Sequence, residues 1–289
     1  MDSNLLKRVT FAAVAIPVAL GVVWNGGLPL AFLLAVAGVL GTRELFDLAA
    51  RQGIHAARGI GIFTAALFAP VAYATIAAPD DVGRAVLDGW MYVGALWLLL
   101  TLSWAVFRRG PQDKPLAAVA VTLIAPLYAA GLPAFLIGIR HAHFGERSLA
   151  GASLVFFPLV LTWVCDTAAM FAGRAIGGPK LAPTVSPGKT WAGSIAGVVG
   201  ALVVAPGYTA WVLAGQGVTL SLWQGLVCAA VLSVIGQVGD LVESLFKREV
   251  GVKDSSNLIP GHGGVLDRFD SLYFVLPVAA VLYHLFGLI

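Results

Sequence analysis

The sequence predicts an all-α polytopic integral membrane protein of about nine transmembrane helices, N-terminus cytoplasmic and C-terminus external. Three observations predict it. Of the 289 residues, 59% are apolar and only 11% charged, against about 25% charged in soluble domains. The apolar residues come in runs of roughly 16 to 24, the length needed at 1.5 Å per residue to cross about 30 Å of hydrocarbon. The basic residues fall on alternate connections: with nine spans, 15 of the 18 lie on cytoplasmic segments, where Lys and Arg accumulate. The same composition excludes a soluble or disordered chain. A net charge of +3 with no basic run gives no support for nucleic-acid binding.

Each span is bounded by breakers. Lys7 and Arg8 precede the first, 9–24, which lacks a small-residue cleavage site and reads as a retained helix; Asn25-Gly26-Gly27 ends it. The second, 28–46, runs into basic residues and Gly53. The third, 60–78, stops at Pro79-Asp80-Asp81, and the fourth, 90–107, at Gly110-Pro111. The fifth, 116–139, leads to Gly145, and the sixth, 153–172, to Gly177-Gly178-Pro179. The seventh, 192–214, ends at Gly215-Gln216-Gly217, the eighth, 221–239, at a long polar stretch, and the ninth is 270–288. Pro17, Pro70, Pro126 and Pro133 lie within spans and kink them. Cys165 and Cys228 sit in apolar runs without metal or redox spacing. Residues 1–150 read as transmembrane scaffold and 151–289 as a catalytic region, with its unusual chemistry on two cytoplasmic loops, 174–191 and 240–270.

The second of these loops holds ten of the 33 charged residues. Asp240, Glu243, Ser244 and Lys247 fall at i, i+3, i+4 and i+7, so a helix continuing from the eighth span puts them on one face. A solvated helix end is the plain alternative, weakened because Asp240 directly follows an apolar run, where an ionised carboxylate needs a partner, water or a cation. Asp267, Asp270 and Ser271 repeat the i, i+3, i+4 pattern at the mouth of the ninth span. Carboxylates one turn apart suit a hard divalent cation; helix capping is the alternative. Between them, Pro260-Gly261-His262-Gly263-Gly264 is either a tight turn or a nest of N–H groups for a phosphate. His262 then serves as phosphate donor or proton carrier.

The first loop follows Asp166, an acid within the sixth span and for that reason a functional candidate. Arg174 lies two turns on. Ser186-Pro187-Gly188-Lys189-Thr190 reads as a helix start whose hydroxyls and lysine suit phosphate oxygens. Snorkelling at the membrane surface is the alternative for Arg174, Lys180 and Lys189. Together the two loops suggest a cytosol-facing pocket for a divalent metal, phosphates and lipid. A secondary transporter of an anionic solute is the rival reading, opposed by the clustering of polar residues on one side.

Ser244-x-Phe246-Lys247-Arg248, then Lys253-Asp254, then Pro260-x-His262-Gly263-Gly264-x-x-Asp267-Arg268-x-Asp270 resembles the signature of the phosphatidate cytidylyltransferase (CDP-diacylglycerol synthase) family. Gly239-Asp240-Leu241-x-Glu243-Ser244 extends it upstream. Asp166-Thr167-x-Ala169 and Ser186-Pro187-x-Lys189-Thr190-Trp191-x-Gly193 are similar to a second region of that family. The specific match covers about 165–271. Ala192 stands where Glu is frequent and Met170 where an aromatic is, so neither is given a catalytic role. The Asp-x-x-Asp-Gly-x-x-Ala-Arg core of CDP-alcohol phosphotransferases is absent.

The resemblance implies that phosphatidate and CTP give CDP-diacylglycerol and pyrophosphate at the cytoplasmic face of a cell membrane, the bacterial inner membrane by family. It implies Mg2+ on Asp240 and Asp267, supported by Asp166 and Asp270; some members add a monovalent cation such as K+. Asp240, Asp267, Lys247 and His262 are implied as catalytic. Ser186, Lys189, Thr190, Ser244, Arg248, Lys253, Gly263, Gly264 and Arg268 are implied to bind substrate. The family is commonly dimeric, which adds a homodimer to the expectations.

Overall fold

The computed structural model describes residues 3–78, 80–259, 261 and 263–289; His262 and Pro260, both singled out above, lie outside the described residues. The chain is built from helices α1 (Ser3–Asn25), α2 (Gly27–Arg51), α3 (Arg58–Ala77), α4 (Asp80–Arg108), α5 (Pro115–Pro126), α6 (Leu132–His141) and α7 (Leu149–Ile176). A two-stranded hairpin, β1 (Lys180–Ala182) and β2 (Ser186–Thr190), precedes α8 (Trp191–Gly207), α9 (Leu222–Glu249), α10 (Leu266–Phe269) and α11 (Leu272–Leu285).

Among the described residues, seven helices are long and apolar enough to cross a membrane: Gly27–Arg51, Arg58–Ala77, Asp81–Arg108, Pro115–His141, Leu149–Ile176, Trp191–Gln216 and Leu222–Glu249. These correspond to the second through eighth predicted spans. The ninth corresponds to α11, whose 14 residues rise only about 21 Å. Two spans contain π turns, Leu127–Gly131 between α5 and α6 and Tyr208–Leu213 after α8. Each stands beside proline, Pro126 and Pro133 in one case and Pro206 in the other, where a missing N–H interrupts the i→i−4 ladder. Large apolar side chains stay exposed along the spans, among them Trp90, Phe107, Val203 and Trp211. In water such a surface would drive association; against lipid it is the solvent-facing side.

The helices form two compact units, discontinuous in sequence. The first takes the chain up to Val22, Gly27–Gly138 and Glu249–Arg268; the second takes Val23–Gly26, Ile139–Arg248 and Phe269–Ile289. In the first unit α2 packs on α3, α5 and the π turn that follows. Its centre is Phe46, Ala56 and Ala125, with Leu45, Ile62 and Val121 against them. The segment 249–268 belongs here, so the polar loop 240–270 is shared between the units rather than standing as one piece.

In the second unit α7 packs along α8 and touches α11. The approach of α7 to α8 depends on small residues. A Cβ at Gly193 would stand 2.6 Å from the Ala169 carbonyl oxygen, and one at Gly197 2.8 Å from that of Cys165. Arg140, one residue past the fifth predicted span, is wholly buried. It donates to the carbonyls of Val23 at 2.7 Å, Trp24 at 2.6 Å and Gly145 at 3.1 Å. The first two are terminal carbonyls of α1, which a cation near a helix C-terminus satisfies.

Two expectations change locally. The all-α description gives way at the hairpin, where Lys180 pairs with Thr190 and Ala182 with Ser186. Ser186–Thr190 is therefore a strand and not the first turn of a helix. The helix begins one residue later, with Thr190 Oγ1 accepting from the Gly193 N–H at 3.1 Å as its cap. Asp267 and Asp270 do not share one helix either: α10 stops after a single turn and α11 starts at Leu272. Asp270 Oδ1 accepts from the Ser271 N–H at 2.6 Å, a local bond that competes with the helical ladder. The Ser271 carbonyl then accepts the first N–H groups of α11, from Phe274 and Val275.

Candidate active site

The second unit gathers carboxylates. As the spacing predicts, α9 continues beyond its apolar run to Glu249, and Asp240, Glu243, Ser244 and Lys247 share a face. Ser244 Oγ donates to Asp240 Oδ1 at 3.3 Å, and Lys247 Nζ pairs with Glu243 at 2.9 Å. Glu243, Ser244 and Lys247 are buried, which removes the solvated-face alternative. Gly239 lets this helix reach the break before α11: a Cβ there would lie 2.8 Å from the Asp270 carbonyl oxygen. Asp240 and Asp270 are thereby brought together.

Lys189 on β2 reaches the same place, with Nζ 2.6 Å from Asp240 Oδ2. Asp166 on α7 is within electrostatic reach of Asp270, Asp240 and Lys189. Burial, and after it the Asp240 carboxylate, raises Asp270 from 3.8 to about 6; the Ser271 N–H, Lys247 and Lys189 oppose the rise. Three carboxylates thus repel one another around one lysine ion pair, a charge balance that an added cation would relieve. Among the described residues no three His, Cys, Asp or Glu side chains form a ready-made metal cage. Magnesium does not require one, since it keeps waters and takes one or two carboxylates together with substrate phosphates. The oxygen-only donor set fits such an ion.

Gln237, which the sequence reading passed over, ties the supporting helices. Its Nε2 donates to the carbonyls of Ser233 at 3.3 Å and Ser194 at 3.4 Å and to Cys165 Sγ at 3.5 Å, while Ser194 Oγ donates to its Oε1. The amide thus joins α7 beside Asp166, α8 just after Lys189, and α9 one turn before Asp240. Its signal in the sequence was an amide deep in an apolar span. Arg248 is exposed and donates to the Val185 carbonyl at 3.2 Å, bracing the hairpin turn.

The first unit holds the other described site candidates on the segment 249–268. Lys253 and Arg268 are exposed there. Asp267 is buried, and its Oδ2 accepts from the Ser255 N–H at 2.9 Å, Ser255 Oγ at 2.8 Å and the Gly264 N–H at 2.8 Å. Gly263 adopts φ +80°, and a Cβ on it would stand 2.6 Å from Asp267 Oδ2. Of the glycines read as a tight turn or a phosphate nest, Gly264 turns its N–H onto a carboxylate of the protein itself, and the next two N–H groups are also taken by a carboxylate. One is Asp267; the other is Glu44 of α2, which accepts from the N–H groups of Val265 and Leu266, each at 2.9 Å. Glu44 was missed in the sequence, although an acid in an apolar span is the signal that marked Asp166.

The chain matches the family model described as the cytidylyltransferase family over residues 6–286. It is 35% identical over 296 residues to the phosphatidate cytidylyltransferase of Brucella suis biovar 1, covering 99% of this chain and 94% of the relative. It is 33% identical to that of Staphylococcus saprophyticus, covering 95% and 97%. The enzyme of Haemophilus influenzae is 40% identical over 195 residues, covering 65% of this chain and 64% of its own length.

Proposed function

Because the chain belongs to the cytidylyltransferase family, we propose that it transfers the cytidylyl group of CTP to phosphatidate, yielding CDP-diacylglycerol and pyrophosphate for phospholipid biosynthesis. A phosphomonoester oxygen of the lipid forms the new bond to the α-phosphorus of CTP. The bond to the β-phosphate bridging oxygen breaks, and pyrophosphate departs in line. The lipid phosphate already carries an oxyanion at neutral pH, so no protein nucleophile is needed.

The carboxylate cluster around the Asp240–Lys189 pair carries the reading. Asp240, Asp166 and Asp270 are the metal ligands of the second unit, and Asp267 is the fourth residue the family pattern assigns to metal. When bound, Mg2+ neutralises phosphate charge and polarises the phosphoryl group; a monovalent ion such as K+ is its companion in part of the family. Lys189, Lys247, Arg248, Lys253 and Arg268 hold phosphate oxygens as cationic donors. Ser186, Thr190 and Ser244 add hydroxyls or fix the elements that bear them. Gly263 and Gly264 shape the turn, and His262 serves there as donor or proton carrier.

Helices within 1–150 act mainly as scaffold and 151–289 as the catalytic region. The basic-residue asymmetry supports nine spans, N-terminus inside and C-terminus outside, with the active site facing the cytoplasm of a bacterial inner membrane. The assembly carried with this reading is a homodimer. The test is synthesis by purified protein in detergent: labelled CDP-diacylglycerol must form from CTP and phosphatidate and depend on Mg2+. Folded protein that makes none across a Mg2+ titration contradicts the assignment. A C-terminal reporter that reads out in the cytoplasm contradicts the topology.

A further inference from the structure

Glu44 lies near the end of an apolar helix, only 4% exposed, yet accepts four hydrogen bonds from one distant segment. Oε1 accepts from Ser256 Oγ at 2.7 Å and the Val265 N–H at 2.9 Å. Oε2 accepts from Ser255 Oγ at 2.9 Å and the Leu266 N–H at 2.9 Å. Each oxygen therefore takes one hydroxyl and one main-chain amide, and the carboxylate closes the two ends of 255–266 like a staple. Ser255 passes the connection on, since its single hydroxyl proton is shared between Glu44 Oε2 and Asp267 Oδ2, 2.8 Å from its oxygen.

The fit leaves no room for a side chain at the last glycine of the turn. A Cβ at Gly264 would collide with Ser255 Oγ and with both oxygens of Glu44. Gly264 is glycine because a carboxylate from α2 presses on it, a constraint separate from any phosphate. Charge-assisted bonds of this kind are stronger than neutral ones, and an unmatched donor buried beside them is costly.

We propose that Glu44 is a positioning residue for cytidylyl transfer: it fixes Ser255 and Ser256 against Val265 and Leu266, and through Ser255 it fixes Asp267. This rests on the function proposed above, because the segment matters to turnover only if Asp267, Lys253 and Arg268 serve the substrates. Glu44 itself touches no reacting group.

Glu44→Gln is the informative change. The amide is isosteric, but whichever way it is turned its NH2 faces a main-chain N–H, that of Val265 or of Leu266. A displacement near 1 Å of reacting groups lowers rate about 100-fold, so kcat falls by about that factor. The KM for CTP rises about 5-fold, as transition-state and ground-state contacts are both lost. In detergent, hydrogen–deuterium exchange of peptides spanning 255–266 accelerates, while peptides from α7, α8 and α9 keep their wild-type rates. A residue needed only for folding would lower the active fraction, leaving KM unchanged and raising exchange throughout.

Wild-type kinetics in Glu44→Gln, or lost activity with unchanged KM and chain-wide exchange, overturns the proposal. Should that variant not fold, Ser256→Ala removes one of the four donors and decides the matter. It is expected to raise local exchange and lower kcat about 3-fold, and wild-type exchange in 255–266 overturns the staple. The exchange measurement needs no turnover. An inactive wild-type protein with a loosened segment in Glu44→Gln therefore refutes the proposed reaction and keeps the staple, whereas an active wild type with an unaltered segment does the reverse.

Discussion

Two groups of carboxylates differ in who neutralises them. In the first unit, Glu44 and one oxygen of Asp267 are surrounded by N–H and O–H donors of a single loop. In the second, Asp166, Asp240 and Asp270 face one another across one lysine pair. A carboxylate supplied with donors by its own chain is an anchor, because its charge is already distributed over protein dipoles. A set of carboxylates gathered about a single lysine is incompletely compensated and suited to a cation that arrives with substrate.

The largest expected effect breaks the second group. Asp240→Asn removes the charge at its centre and should lower kcat/KM by about 1,000-fold, roughly 4 kcal/mol. Thermal stability in detergent should hold, since relief of the repulsion from Asp166 and Asp270 offsets loss of the Lys189 ion pair. Asp267→Asn should cost both turnover and about 3 kcal/mol of stability, because the Ser255 and Gly264 N–H groups lose a charged acceptor. If both variants melt alike, the contrast between anchor and cation site fails.

Lys189→Met comes next. It deletes the one described cation paired with Asp240 and should reduce kcat/KM about 30-fold, or roughly 2 kcal/mol, with part of the loss recovered by more Mg2+. A loss that no Mg2+ concentration recovers would assign Lys189 wholly to the substrate phosphates. The smallest effect is that of Thr190→Ala, which removes the α8 cap and should cost about 1 kcal/mol in unfolding with little change in KM. A rise in the KM for CTP comparable to that of Lys189→Met would make Thr190 a direct substrate contact.

What could be read in the sequence was what is local. Apolar length located the seven helices that qualify as spans, and i, i+4, i+7 spacing put Asp240, Ser244 and Lys247 on one face, because both follow from helical geometry alone. The strand Ser186–Thr190 was invisible: Ser-Pro-Gly-Lys-Thr has no alternation, and its pairing with Lys180–Ala182 is a tertiary outcome. The interruption after Phe269 was also unreadable, since it turns on one side-chain bond from Asp270. Glu44 was missed because its partners begin 211 residues away. No spacing rule reaches that far, and its neighbours in the sequence give no motif.

Whether the second group holds the metal is read most directly by Mn2+ binding, followed by electron paramagnetic resonance in the presence of CTP. Wild-type protein in detergent should bind Mn2+ competitively with Mg2+, and Asp240→Asn, folded and of wild-type melting temperature, should lose that binding by at least about 10-fold in affinity. Wild-type Mn2+ affinity in Asp240→Asn would contradict the account and leave the cluster without its proposed ion.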